Sequence, residues 1–147
     1  MNIGRQLNKN VEIHTTSTPT ATNPILRSIR ELTREVPGVA LVENGWMPWP
    51  RFRRLISFMD LLICPSYTES FCNVVADAIV ERVPVVVSES IAWVPEYWRA
   101  KVDDVNDITH VGRSILFDPR ANYYGMKALN DWNTLAEPRW LEFLNKP

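Results

Sequence analysis

The sequence predicts an α/β fold in which a parallel sheet carries helices on both faces. Three observations carry that prediction. Short β-branched segments alternate along the chain with segments whose apolar residues recur at helical spacing. The connections between them are short. The fourth strand segment, Pro84–Ser88, is apolar enough to be covered on both faces. A length of 147 residues suits one domain.

Val11-Glu-Ile-His-Thr-Thr16 alternates apolar and polar residues and predicts the first strand. Ser17–Asn23 is a polar loop. Asn23 then serves as a cap and Pro24 as the first helical residue of a helix to about Glu35, with an apolar stripe of Ile25, Ile29 and Leu32. Pro37-Gly38 stops that helix, and Val39–Glu43 is the second strand. After the Asn44–Pro48 loop, a helix carries Phe52, Leu55, Ile56 and Met59 on one face. Leu61–Cys64 is the third strand. From Phe71 to Arg82, Phe71, Val74, Val75, Ala78 and Ile79 fall at helical spacing, and Pro84–Ser88 is a fourth strand, covered on both faces. Helices over about Asp104–Leu116 and Ala121–Leu135 complete the order. The apolar tail of Trp132, Trp140, Leu141, Phe143 and Leu144 is expected to pack an ending helix on a core, or else to form an exposed interaction patch.

Charge and composition exclude several functions. A net charge of −1 provides no basic field for a nucleic-acid backbone. Apolar runs such as Leu61–Cys64 are far too short to span a bilayer, and the first residues carry no export signal. Two cysteines make no disulfide framework and read as buried, reduced thiols of a cytoplasmic protein. With two histidines scattered beside them, no metal site is predicted, and no cofactor. His14 reads as a hydrogen-bonded structural residue, with phosphate contact the alternative. Arg51, Arg53 and Arg54 read as a solvated helix face, with anion contact the alternative.

Ligands on parallel sheets bind outside the carboxyl ends of the strands. The loops there are Ser17–Asn23, Asn44–Pro48, Pro65–Asn73 and Ser88–Pro95, and one crevice is expected to gather them. The third loop carries an acid, Glu69, and the helix after it carries a second, Asp77, eight positions on. Backbone N–H groups at a helix start attract anions. Two carboxylates beside them would repel phosphate but suit hydroxyl donors. A ligand with both phosphate and vicinal hydroxyls, such as a nucleotide sugar, satisfies both demands. The plainer alternative is that the acids only favour the helix start, at about 0.3–1 kcal/mol each.

The block Pro65-Ser-Tyr-Thr-Glu-Ser-Phe-Cys-Asn-Val-Val-Ala-Asp-Ala-Ile79, then Val83-Pro-Val-Val-Val-Ser88 and Pro95-Glu96, resembles the family 4 retaining glycosyltransferases of the GT-B class. The resemblance covers roughly residues 11 to 120. It implies a Rossmann-like partial GT-B C-terminal domain that binds a nucleoside diphosphate sugar. By that resemblance Glu69 is the catalytic-site acid on the transferred sugar and Asp77 binds the ribose. Ser70, Phe71, Cys72 and Asn73 lie against the diphosphate or sugar. Gly45, Trp46 and Met47 line the base, with Trp46 as a stacking surface, and Trp93 shapes or closes the pocket. Packing is the more ordinary fate for both tryptophans.

The sequence departs from the family in instructive places. Asp77 stands for the usual glutamate, one methylene shorter, and Ser70 and Cys72 stand where glycines are common. The family's first strand, its diphosphate-binding Arg and Lys, and the acceptor-binding domain have no counterpart; Gly4-Arg-Gln-Leu-Asn-Lys9 reads as the tail of a helix of that missing unit. The expectation is therefore a truncated unit, weak or inactive alone, that works with a separate N-terminal domain or as a homo-oligomer. A GT-B epimerase or phosphorylase half would need other basic and histidine residues. A non-catalytic Rossmann-like binding or assembly module, paired through an exposed sheet edge, is the alternative from another class.

Overall fold

A computed structural model of the chain describes residues 10–16 and 24–145. The chain divides into two compact units, residues 1–49 and 50–147. Both are α/β, with parallel strands throughout.

In the first unit, β1 (Val11–Thr16) pairs in parallel with β2 (Val39–Asn44), from Val11 opposite Val39 to Thr16 opposite Asn44. The crossover between them contains α1 (Pro24–Glu35), which packs on β2. Its stripe differs from the expected one. Leu26 and Thr33 are buried and Leu32 is half exposed, so the inward face follows 26, 29, 30 and 33. Arg30 completes that face by a forked hydrogen bond to Glu43 on β2, at 2.6 and 2.5 Å, which holds the Glu43 carboxyl below its ordinary range. Thr33 can be buried because its hydroxyl donates back to the Ile29 carbonyl at 2.9 Å. Gly38, at φ 77°, turns the chain from α1 into β2, and its carbonyl accepts from the Val11 N–H at 2.8 Å. The Asn23 cap and the Ser17–Asn23 loop lie outside the described residues, as does Gly4–Lys9.

The second unit follows α2 (Trp49–Ile56), which starts at the boundary. Met59, expected on that helix, lies just beyond its end, where its N–H donates to the Ile56 carbonyl at 2.8 Å. Next come β3 (Leu62–Cys64), α3 (Asn73–Val80) and β4 (Val85–Ser88). A single 3₁₀ turn, Glu96–Trp98, leads into β5 (Arg99–Ala100). The strand order is β3-β4-β5, with Leu62 opposite Val85 and Val87 opposite Arg99. α4 (Val105–Leu116) is capped by Asp104, whose carboxylate accepts from the N–H groups of Asn106 and Asp107. α5 (Ala121–Leu144) runs on through Pro138, well past the expected end near Leu135.

All four residues of β4 are buried, so both of its faces are covered, as its three successive valines favour. α3 packs on β3 and β4, α4 on β4 and β5, and α5 on α3. The core holds Val75, Ile79, Val85–Val87, Ile91, Trp98 and Ile115. Trp98 meets α5 at Gly125, where an added Cβ would fall 2.5 Å from the indole ring. The tail splits between its two expected fates: Trp132 stacks on Phe71, whereas Trp140, Leu141, Phe143 and Leu144 are exposed.

Candidate functional site

The strand-end loops of the second unit, 65–72 and 89–95, are knitted together by polar contacts. Ser88 donates its hydroxyl to the Ser66 carbonyl, and Ser90 does the same at 3.0 Å. The two hydroxyl oxygens stand 2.7 Å apart. Trp93 donates its indole N–H to the Phe71 carbonyl at 2.6 Å and stacks on the Phe71 ring at 5.1 Å between centroids. From the β5 side, Arg99 donates to the carbonyls of Ala92 and Val94. Tyr67 donates to the Asp103 carboxylate, which ties the first loop to the turn before α4 and raises the Tyr67 phenol above its ordinary range. Local sequence could not announce the links of Ser88 and Ser90 to Ser66, Trp93 to Phe71 and Tyr67 to Asp103, because each joins residues more than twenty positions apart.

Glu69, Ser70 and Asn73 are exposed on this loop, and Phe71 is half buried beside Trp93 and Trp132. Cys72 occupies the N-cap position of α3 with φ 60°, a left-handed backbone that glycine adopts more cheaply. Its side chain makes no cap hydrogen bond.

Asp77 faces a partner that sequence reasoning had placed in solvent. The Arg53 guanidinium of α2 lies 3.9 Å from the Asp77 carboxylate and also pairs with Glu81, one turn further along α3. All three side chains are largely shielded from solvent, so this is an interhelical ion cluster rather than a solvated face. Glu69 and Asp77 consequently occupy unlike surroundings: one is an open carboxylate, the other is held by an arginine.

The two tryptophans named from sequence also differ. Trp93 is buried, with its N–H and one ring contact spent on Phe71, so it shapes the loop from beneath. Trp46 is 83% exposed and contributes almost nothing to a core. Gly45, Trp46 and Met47 follow β2 and belong to the first unit. A Cβ at Gly45 would meet no atom within 4 Å, so neither crowding nor a left-handed backbone demands glycine there. His14, also in the first unit, sits 3.4 Å from both Glu12 and Asn44 side chains.

An open apolar groove along α5 is lined by Trp132, Leu135, Ala136, Arg139, Trp140 and Phe143. All belong to one helix, which makes the groove a helix surface and not an enclosed ligand site. Among the described residues, no helix is long and apolar enough to cross a membrane, and no metal-binding cluster of three or more His, Cys, Asp or Glu side chains forms. Neither protein-family models nor curated proteins yield a match to this chain.

Proposed function

We propose that this chain carries the donor side of a nucleotide-sugar glycosyltransferase of the retaining family 4 type, with the acceptor side supplied by another domain or chain. The observation that supports the reading most is the join between β3 and α3. An exposed acid, Glu69, sits in a loop at the carboxyl end of a parallel strand, and that loop enters a helix through a left-handed residue. This is where open α/β sheets bind phosphorylated ligands. In this reading Glu69 accepts hydrogen bonds from sugar hydroxyls. Asp77, with Arg53 holding its carboxylate, addresses the ribose. Catalysis would come from positioning and from stabilising the departing diphosphate.

Saturation-transfer NMR against UDP, GDP, ADP and their sugar conjugates tests this. The expected result is transfer to the ribose and sugar protons of one nucleotide, abolished by Glu69→Ala and weakened by Asp77→Ala. Absence of transfer to every nucleotide would sink the reading. A non-catalytic assembly module would then be favoured, on the strength of the exposed Leu135, Trp140, Phe143 and Leu144 of α5. It would be recognised by concentration-dependent mass in sedimentation.

A further inference from the structure

We infer that Cys64 and Cys72 form a reversible dithiol–disulfide pair, whose closure links the end of β3 to the start of α3 and rings the segment that contains Glu69, Ser70 and Phe71. The two sulfurs are in contact at 3.6 Å, and both thiols are free and only partly buried. Rigid elements hold them there. Cys64 is fixed by the pairing of β3 with β4, opposite Val87. Cys72 is fixed by the first turn of α3, where its carbonyl accepts from the N–H groups of Val75 and Ala76. The Phe71 carbonyl beside it is held by Trp93. Bond formation needs the sulfurs to close from 3.6 Å to about 2.0 Å. A buried structural thiol needs no second thiol against it, and sequence alone gave no sign of the pairing.

The oxidant is a low-molecular-weight disulfide. One cysteine of the pair loses its proton to water, and its thiolate attacks one sulfur of that disulfide, forming a mixed disulfide and releasing one thiolate. The other cysteine then gives up its proton in turn, attacks the sulfur of the first and expels the second thiolate, and the two released thiolates take up the two protons. One external disulfide becomes two thiols, and two protein thiols become one disulfide. Burial, then the neighbouring Cys72, with Glu69 adding its charge, pushes the Cys64 thiol up to about 12.

The pairing stands apart from the donor reading. Its test equilibrates the full chain in glutathione buffers of increasing oxidised fraction, traps remaining thiols by alkylation, and measures intact mass. The expected product is a monomer lighter by two hydrogens, with neither alkylation nor bound glutathione. Cys64→Ser and Cys72→Ser should each retain one glutathione instead. Wild-type chain that accumulates a glutathione adduct, cross-links to a second copy, or keeps both thiols alkylable in the most oxidising buffer overturns the inference. Repeating the nucleotide NMR on both forms separates the two ideas. Closure without nucleotide binding in either form leaves the pairing intact and removes the donor reading, and binding without closure does the reverse.

Discussion

The strand pair β1–β2 and the strand β4 draw on similar β-branched residues, yet no residue of the pair is fully buried and every residue of β4 is. The difference lies in the interruptions. Glu12, His14, Glu43 and Asn44 break the apolar run of the first unit, so its sheet presents one moderately covered face to α1. Val85-Val-Val-Ser88 has no interruption, and helices cover both of its sides. Among the described residues, all the buried apolar side chains but Leu26 lie in the second unit. The contrast holds between these two regions and not for every apolar strand: β3 is apolar throughout, yet Ile63 at its centre is exposed.

The largest test of that contrast is Trp98→Ala. Trp98 is 1% exposed, and its loss should cost about 3–5 kcal/mol in urea unfolding. Ile13→Ala, on half-covered β1, should cost only about 1 kcal/mol by the same measurement. Comparable costs would show that the first unit is as tightly packed as the second. Gly125→Ala probes the same core from the opposite side. Its Cβ would enter the Trp98 ring, so a loss of about 1–3 kcal/mol is expected despite alanine's better helix propensity. A gain would mean that α5 can lift away from Trp98 at little cost. The smallest effect concerns Arg82, which holds φ 64° just after α3. Its N–H donates to the Ile79 carbonyl and that of Val83 to the Ala78 carbonyl, a Schellman closure with arginine in the position glycine favours. Arg82→Gly should raise the unfolding midpoint, corresponding to about 1 kcal/mol. An unchanged or lower midpoint would show that the arginine side chain makes a compensating contact.

Much of the fold was legible because periodicity and helix stops are local signals. β1 and α1 begin and end where alternation, Pro24 and Pro37-Gly38 place them. β5, only two residues long, carries no periodicity to detect. The run of α5 past Leu135 was hidden by Pro138, since a proline ordinarily marks a helix end. Around the candidate site, the identities of Glu69, Asp77 and Trp93 were legible, but their partners were not. That Asp77 meets Arg53, that Trp93 serves Phe71, and that Cys64 touches Cys72 all depend on packing between segments. The sequence offers no spacing rule for such contacts.

Among the described residues, the two non-glycine positions with left-handed backbones, Cys72 and Arg82, stand at either end of α3 and fix how many residues the helix holds. An insertion or deletion between them cannot be absorbed by fraying. Each added residue would turn the following side chains by about 100° around the axis, carrying Asp77 and Glu81 away from Arg53 and shifting the chain's entry into β4. The loop before Cys72 is held by hydrogen bonds at Ser66, Tyr67 and Phe71 and not by a helical register, so a residue added between Tyr67 and Phe71 can bulge outward. Length variation among related chains should therefore collect before position 72 and be absent from 72 to 82.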